Sequence, residues 1–163
     1  MAFDTFLKID GVEGESAASG MEKQIEIYSF SWGESNNVNM SGGGHAAGKA
    51  SFADLNVMKK LDKASPVLMK KCAAGEHIKS AILTMRKATG TSGQQQAFAV
   101  ITLSDVMISS IQLSGSSGGD DTPTESVSLA YAKMKVEYSQ QGNDGKLTKA
   151  ASFEYDLKTS KAT

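Results

Sequence analysis

The residues that come nearest to a chemical motif are Gly43 to Ala50, whose sequence GGHAAGKA matches a phosphate-binding loop except at its last position. In such a loop glycine amides hold the phosphates, a lysine reaches the outer phosphates, and a final Ser or Thr hydroxyl binds magnesium. Ala50 lacks that hydroxyl, the preceding NNVNMSG is not an apolar strand, and the following residues favour a strand over the required helix. We therefore interpret the segment as a flexible glycine loop. A nucleotide hydrolase acting through Lys49 is the least favoured of our hypotheses.

Metal and thiol chemistry finds little support in the remaining residues. His45 and His77 are far apart in sequence and no H-E-x-x-H motif is present, so a zinc site is not indicated. Cys72 is the single cysteine, which excludes an intrachain disulfide and favours a buried, inert thiol in a reducing cytoplasm. Asp120 and Asp121 lack the spacing of a calcium loop and are interpreted as a solvated turn. We predict no metal and no cofactor.

Two carboxylates could in principle form a hydrolytic pair. Glu154 and Asp156 lie two residues apart, so on a strand they share one face. Outward alternation on an edge or lumen-facing strand explains this spacing without chemistry. We find no catalytic constellation in the sequence and predict that the protein is not an enzyme.

Composition limits the class of protein and its partners. The chain has 163 residues, 40% of them hydrophobic, which predicts one domain over residues 1–163 with a sizeable core. A net charge of −1 gives no electrostatic reason to bind nucleic acid. No apolar run approaches the roughly 20 residues of a membrane span, and the first residues, MAFDTFLKIDG, do not resemble a signal peptide. We expect a soluble cytoplasmic protein without membrane insertion.

The clearest local element is a helix from Ser65 to Gly75, SPVLMKKCAAG. Ser65 can cap the first turn, Pro66 suits the first helical position, and Gly75 can end the helix in a left-handed conformation. The residues predicted to form its apolar stripe are Leu68, Met69, Cys72 and Ala73. Lys70 and Lys71 point elsewhere, most simply into solvent, although a charged rim at a subunit contact is also possible.

Elsewhere the pattern of apolar residues predicts strands. They cover residues 3–9, 24–32, 50–60, 77–87, 97–103, 106–113, 126–138 and 146–158. The pattern of residues 50–61 also fits a helix, but a strand ending near Lys60 is favoured because the cap at Ser65 indicates where the helix begins. The apolar positions of 24–32 and of 126–138 change face midway, which indicates bends or strands that pass between sheets. Residues 33–48 are predicted to form a long loop, Asn143 to Gly145 a hairpin turn, and Thr159 to Thr163 a frayed end. The predicted fold is mostly β: an antiparallel β-barrel or two-sheet sandwich of about eight strands with one lateral α-helix, Ser65 to Gly75.

Four motifs occur in an order that resembles the haemolysin-coregulated proteins (Hcp) of bacterial type VI secretion. They are SFSWG at Ser29 to Gly33, DKASPVLMKKCAAGEHI at Asp62 to Ile78, DVMISSIQLSG at Asp105 to Gly115, and ESVSLAYAKMKVEY at Glu125 to Tyr138. The similarity extends from FLKIDGVEGES, starting at Phe6, to FEYDL, ending at Leu157.

This resemblance implies a structural protein that forms a tube. In the family, β-barrel subunits with a lateral helix close into six-membered rings, and the rings stack into the inner tube of a contractile, phage tail-like apparatus. The implied partners are other copies of the chain, the spike protein, the surrounding sheath, and small effectors held in the lumen. The protein itself would be exported by this machine from the cytoplasm without a signal peptide. The alternative is a monomeric β-barrel that binds a small ligand in its interior.

Two surfaces are candidates for self-association under this reading. The first is the polar segment 33–48, which we expect to become ordered on contact with another ring. The candidate ring-stacking residues in this segment and directly after it are Asn36, Asn37, Asn39, Ser41, Gly43, His45 and Lys49. The second is the polar face of the helix, with Lys70 and Lys71 as candidate subunit-interface residues.

Overall fold

The computed structural model describes residues 3–41, 46–89, 94–119 and 121–163. Within these ranges the chain forms eleven strands and one helix, and every strand pairing is antiparallel. The elements are β1 Asp4–Ile9, β2 Ile25–Ile27, β3 Ser29–Ser31, β4 Glu34–Asn39, β5 Ala46–Phe52, β6 Leu55–Lys60, α1 Ser65–Ala74, β7 Ile78–Ala88, β8 Gln95–Ser114, β9 Thr124–Gln141, β10 Leu147–Asp156 and β11 Lys161–Ala162. The described helix is too short to cross a lipid bilayer.

The long strand β9 organises the main sheet, whose order is β11-β10-β9-β8-β7-β1-β2. Its first half pairs with β6 on the side opposite β8, and its second half pairs with β10 instead. The exchange occurs between Leu129, which still pairs with β6, and Lys133, which pairs with β10; Asp105 of β8 lies opposite this point and has a φ of 54°. This is where the sequence predicted a change of apolar face, so the prediction of a strand passing between two layers is confirmed.

A second face change was predicted within residues 24–32, and there the strand breaks at Tyr28. The residues before the break form β2 and pair with β1, whereas those after it form β3 and pair with β6. The described hydrogen-bond ladder is therefore interrupted rather than closed into a barrel. The predicted mostly-β, antiparallel class is confirmed in its two-sheet sandwich form.

The core lies between these layers and is filled by aliphatic side chains. Leu55, Leu83, Leu103, Val127 and Leu129 are fully buried there. A pocket of about 650 Å³ beside β1 and β2 has lining residues that are half exposed, such as Phe3 and Tyr28, so it opens on the surface. An interior occupied by side chains counts against the monomeric ligand-binding barrel.

The helix is confirmed, but its start differs from the prediction. The N-cap position is Ala64, which makes no side-chain cap, and Ser65 is already the first helical residue. The Ser65 hydroxyl instead contacts the buried Lys59 ammonium and Glu125 carboxylate. The end is as predicted: Gly75 has a φ of 62° and its N–H donates to the carbonyl of Cys72. The predicted stripe is narrower than expected, since Leu68 is buried while Ala73 is exposed.

Several predicted strands and connecting segments need correction. Residues 97–103 and 106–113 belong to a single strand, β8, that continues through Asp105. The C-terminal residues 159–163 do not simply fray, because β11 pairs with β10, and Glu154 and Thr163 exchange backbone hydrogen bonds of 2.9 and 2.8 Å. The predicted loop 33–48 contains β4 and the start of β5, which together form a two-stranded sheet.

Candidate self-association surfaces

The first candidate surface is the β4–β5 hairpin. Its strands pair with each other from Glu34 opposite Phe52 to Asn39 opposite Ala46, and every residue of β4 is exposed. The register shifts once, where Gly48 and Lys49 together lie opposite Asn37. A β-carbon on Gly48 would lie 2.7 Å from the backbone oxygen of Asn37, which explains the glycine without phosphate binding. The chain after Gly48 continues as a strand, so the helix that a phosphate loop requires is absent here.

The predicted ring-stacking residues lie mainly along this hairpin. Asn36, Asn37 and Asn39 are on β4, Lys49 is on β5, and all four are exposed. Ser41 follows β4, and its N–H donates to Asn39 Oδ1 over 3.1 Å. The other two predicted residues, Gly43 and His45, lie outside the described residues.

Two apolar side chains on the same hairpin were missed by the sequence interpretation. Val38 and Met40 are 56% and 66% exposed, although neither residue type favours water. The alternation V-N-M within NNVNMS is the signal that could have revealed them, because it is the spacing of a one-sided strand. Exposed apolar residues on a projecting polar hairpin are typical of a surface that another protein covers.

The base of the hairpin is held by a tyrosine from β9. Tyr131 Oη accepts a 2.6 Å hydrogen bond from Trp32 Nε1–H, next to the start of β4, and donates a 2.8 Å bond to the carbonyl of Ala53, just after β5. Ala53 N–H donates to the Gly33 carbonyl over 2.9 Å. Burial raises the pKa of the Tyr131 phenol above its usual value, and the hydrogen bond from Trp32 opposes that shift. The phenol is therefore protonated at neutral pH and can both accept and donate.

Aromatic packing supports the same base. The Phe52 ring, at the end of β5, stacks on Tyr155 of β10 with ring centroids 4.2 Å apart, and Trp32 lies 6.0 Å from Phe52. Tyr155 is itself buried. Trp32 is half-buried and packs against the edge of the core.

The second candidate surface is the polar face of α1. Lys70 is exposed, as predicted, whereas Lys71 is half-buried and its ammonium lies 3.1 Å from Glu76 Oε2. Val67, one turn before Lys71, is 39% exposed. The structure therefore leaves Lys70 and Val67 available for contact and gives Lys71 a partner within the subunit.

A buried charge cluster, Lys59, Asp62, Ser65 and Glu125, lies where α1 begins. Lys59 Nζ is 2.6 Å from Glu125 Oε1, 2.9 Å from Asp62 Oδ1 and 3.0 Å from Ser65 Oγ. Lys59 and Glu125 are almost completely inaccessible to solvent, and the Ser65 hydroxyl also contacts Glu125. The cluster joins β6, β9 and the start of α1. Sequence reasoning missed it, because nothing local shows that residues 66 positions apart will pair.

The residues considered for catalysis have structural explanations. Glu154 Oε1 lies 2.6 Å from Lys133 Nζ, and Asp156 Oδ1 accepts the backbone N–H groups of Lys158 and Thr159. His77 lies just before β7 with Nε2 3.4 Å from Asp105 Oδ1.

Cys72 and the two aspartates were the remaining candidates for thiol or metal chemistry. Cys72 is half-buried, and Asp121 is exposed while Asp120 lies outside the described residues. Within the described ranges, no three His, Cys, Asp or Glu side chains come together as metal ligands.

Comparison with known proteins relates the chain to type VI secretion. Residues 6–138 match the family model described as "Type VI secretion system effector, Hcp". Protein hcp1 of Pseudomonas aeruginosa PAO1 is 42% identical over 146 residues, which cover 89% of this chain and 88% of that protein.

Solved structures show the same relationship. One described as a type six secretion system protein has a TM-score of 0.93 at 34% identity and covers 99% of this chain and 100% of its own. Hcp1 from Salmonella typhimurium has a TM-score of 0.78 at 34% identity, with full coverage of both chains.

Proposed function

The chain belongs to the Hcp family of type VI secretion proteins, and on this basis we propose that it is a structural subunit of the secretion tube, with no enzymatic activity. In the proposed assembly, six copies form a ring and the rings stack into the inner tube. The whole chain acts as one domain in this assembly. The observation that carries the stacking step is the projecting β4–β5 hairpin with its exposed Val38 and Met40.

Ring closure needs two different complementary surfaces on each subunit, because neighbours in a ring meet head to tail. The distribution of exposed apolar residues is consistent with this requirement. Besides the hairpin residues, the large apolar side chains that are exposed in the described part of the chain are Phe3, Tyr28, Leu61, Val67, Met107, Leu113 and Tyr138. Phe3, Tyr28 and Leu61 line the pocket beside β1 and β2, whereas the others lie on α1 and along β8 and β9. We assign ring contacts to these body surfaces, including the α1 face with Lys70, and ring-to-ring contacts to the hairpin.

The remaining partners follow from the same proposal. The tube would carry small effector proteins in its lumen, contact the spike at its tip, and be surrounded by the contractile sheath. Export of the subunit from the cytoplasm would then occur through the apparatus itself. These partners are supported by family membership.

Replacing both apolar hairpin residues with serine, Val38→Ser with Met40→Ser, tests the stacking role. Both side chains are already exposed, so the subunit should fold and form rings normally. Losing their burial at the ring-to-ring contact should weaken stacking at least tenfold, which corresponds to about 1.4 kcal/mol. Sedimentation of purified rings, together with tube lengths in negative-stain images, measures the change.

A matched control replaces an exposed residue of the same strand that is not among the predicted contacts, Ser35→Ala, and should leave stacking within about twofold of the unmodified protein, well inside the tenfold step of 1.4 kcal/mol. Unchanged stacking in the double variant would show that the hairpin is not the ring-to-ring contact. Loss of the rings themselves would assign the hairpin to the contact within a ring instead.

A further inference from the structure

The orientation of the β4–β5 hairpin has to be set at its base. In the described part of the chain, β4 and β5 pair only with each other and form a separate sheet. An isolated two-stranded hairpin is at best marginally stable in water, and nothing along β4 is buried to hold its direction. Whatever fixes the hairpin relative to the body must therefore act where its two strands leave the body.

One atom meets this requirement on both strands. Tyr131 Oη bonds to Trp32, before β4, and to the carbonyl of Ala53, after β5, so a single hydroxyl joins both ends of the hairpin to β9. Tyr131 lies in β9 at the point where the strand exchanges its partner β6 for β10. The position of the hydroxyl is therefore set by the central strand of the fold.

Two further contacts hold the base of the hairpin against other strands of the body. The Phe52 ring stacks on buried Tyr155, which holds the end of β5 against β10. Asp54 Oδ2 accepts a 2.6 Å hydrogen bond from the Ser109 hydroxyl of β8. Three strands of the body, β8, β9 and β10, thus contact a short stretch at the base, and the Tyr131 hydroxyl bonds to both sides of it.

We propose that the Tyr131 hydroxyl is a positioning group that fixes the direction of the hairpin in the free subunit, before any other ring is bound. The sequence had suggested a segment that becomes ordered on contact. The two hydrogen bonds of the Tyr131 hydroxyl, which we call the clamp, instead orient the hairpin before contact. A hairpin that is already oriented loses less conformational freedom on docking than a mobile one, so stacking is stronger for the same contacts. This consequence for stacking rests on the function proposed above, whereas the clamp itself does not.

Tyr131→Phe is the appropriate substitution, because it removes the oxygen and keeps the ring. The orientation of the hairpin is measured by pulsed dipolar spectroscopy on the full chain, with spin labels at Met40→Cys and Lys79→Cys in a Cys72→Ser background. Labelled chain is mixed with excess unlabelled chain, so that each ring holds at most one pair of labels. Trp32 is the only tryptophan, so its fluorescence reports on the same hydrogen bond independently.

We expect a narrow distance distribution in the parent protein and one at least twice as broad in Tyr131→Phe, with a shift in Trp32 emission. Ser139→Ala, which removes a hydroxyl eight residues further along the same strand, is the matched control and should leave both signals unchanged. Trp32→Phe removes the hydrogen-bond donor from the other side and should broaden the distribution in the same way, which preserves the test if Tyr131→Phe folds poorly.

Equal widths in the parent protein, Tyr131→Phe and Trp32→Phe would overturn the clamp. A broadened distribution, together with stacking of the unlabelled Tyr131→Phe protein reduced on the order of tenfold, would support both the clamp and its role in the tube. A broadened distribution with unchanged stacking would support the clamp and contradict the stacking role of the hairpin. The two proposals can therefore fail separately.

Discussion

Replacing Lys59 with methionine is expected to lower the free energy of unfolding by about 3 to 5 kcal/mol. The ammonium of Lys59 contacts Glu125, Asp62 and Ser65, and its removal leaves the Glu125 carboxylate buried without its counter-charge. Glu125 Oε2 already has no hydrogen-bond partner among the described residues, so nothing nearby compensates for the loss. Since single domains are stable by only about 5 to 15 kcal/mol, this change removes a large part of the total.

Guanidinium unfolding of the parent and variant at one protein concentration measures the effect, because ring formation adds concentration-dependent stability. The neighbouring exposed lysine provides the control, and Lys60→Met should change stability by less than about 1 kcal/mol. The double variant Lys59→Met with Glu125→Leu should regain most of the loss, since an apolar pair of similar volume often replaces a buried ion pair without penalty. A loss below about 1 kcal/mol in Lys59→Met alone would show that the cluster does not hold the start of α1.

Leu68→Asp is expected to prevent folding of the subunit. Leu68 is 1% exposed and is the residue through which α1 enters the core, so a carboxylate there would be buried without a partner. A loss above about 4 kcal/mol is expected, and the protein should be recovered unfolded or aggregated. Far-UV circular dichroism and the soluble yield measure this outcome.

The control lies two residues along the same helix, where Lys70 is exposed and Lys70→Glu should leave the fold intact. Its effect on assembly is informative in its own right. If Lys70→Glu abolished rings while the subunit stayed folded, the polar face of α1 would be a subunit interface, as the proposed ring contact requires. A folded, soluble Leu68→Asp protein would contradict the packing of α1 on the core.

The sequence predicted those elements whose determinants are local or repeat along one strand. Gly75 ends the helix through its own conformation, and the face changes near Tyr28 and after Tyr131 mark the places where strands exchange partners. The predicted start of the helix was wrong because the Ser65 hydroxyl can either cap a helix or contact a buried carboxylate. In the structure it contacts the carboxylate of Glu125, which is 60 residues away in sequence.

The hairpin was predicted as a loop for a physical reason. Strand prediction depends on a buried face, and β4 buries none of its residues, so its pairing with β5 leaves little trace in hydrophobic periodicity. The contact between Trp32 and Tyr131 at its base could not be predicted from the sequence either, since these residues are 99 positions apart. Both residues do lie within motifs that carry the family resemblance, SFSWG and ESVSLAYAKMKVEY, as do Asp62, Ser65 and Glu125. The resemblance thus pointed to the right segments without revealing their contacts.

The claim that the chain is a ring-forming tube subunit is tested most directly by native mass spectrometry of the purified protein, combined with negative-stain images of the same sample. A ring-forming subunit should give a species with six times the 17.2 kDa subunit mass, seen as closed rings with a central opening. A protein that remained a monomer at every concentration, with no rings in the images, would contradict it.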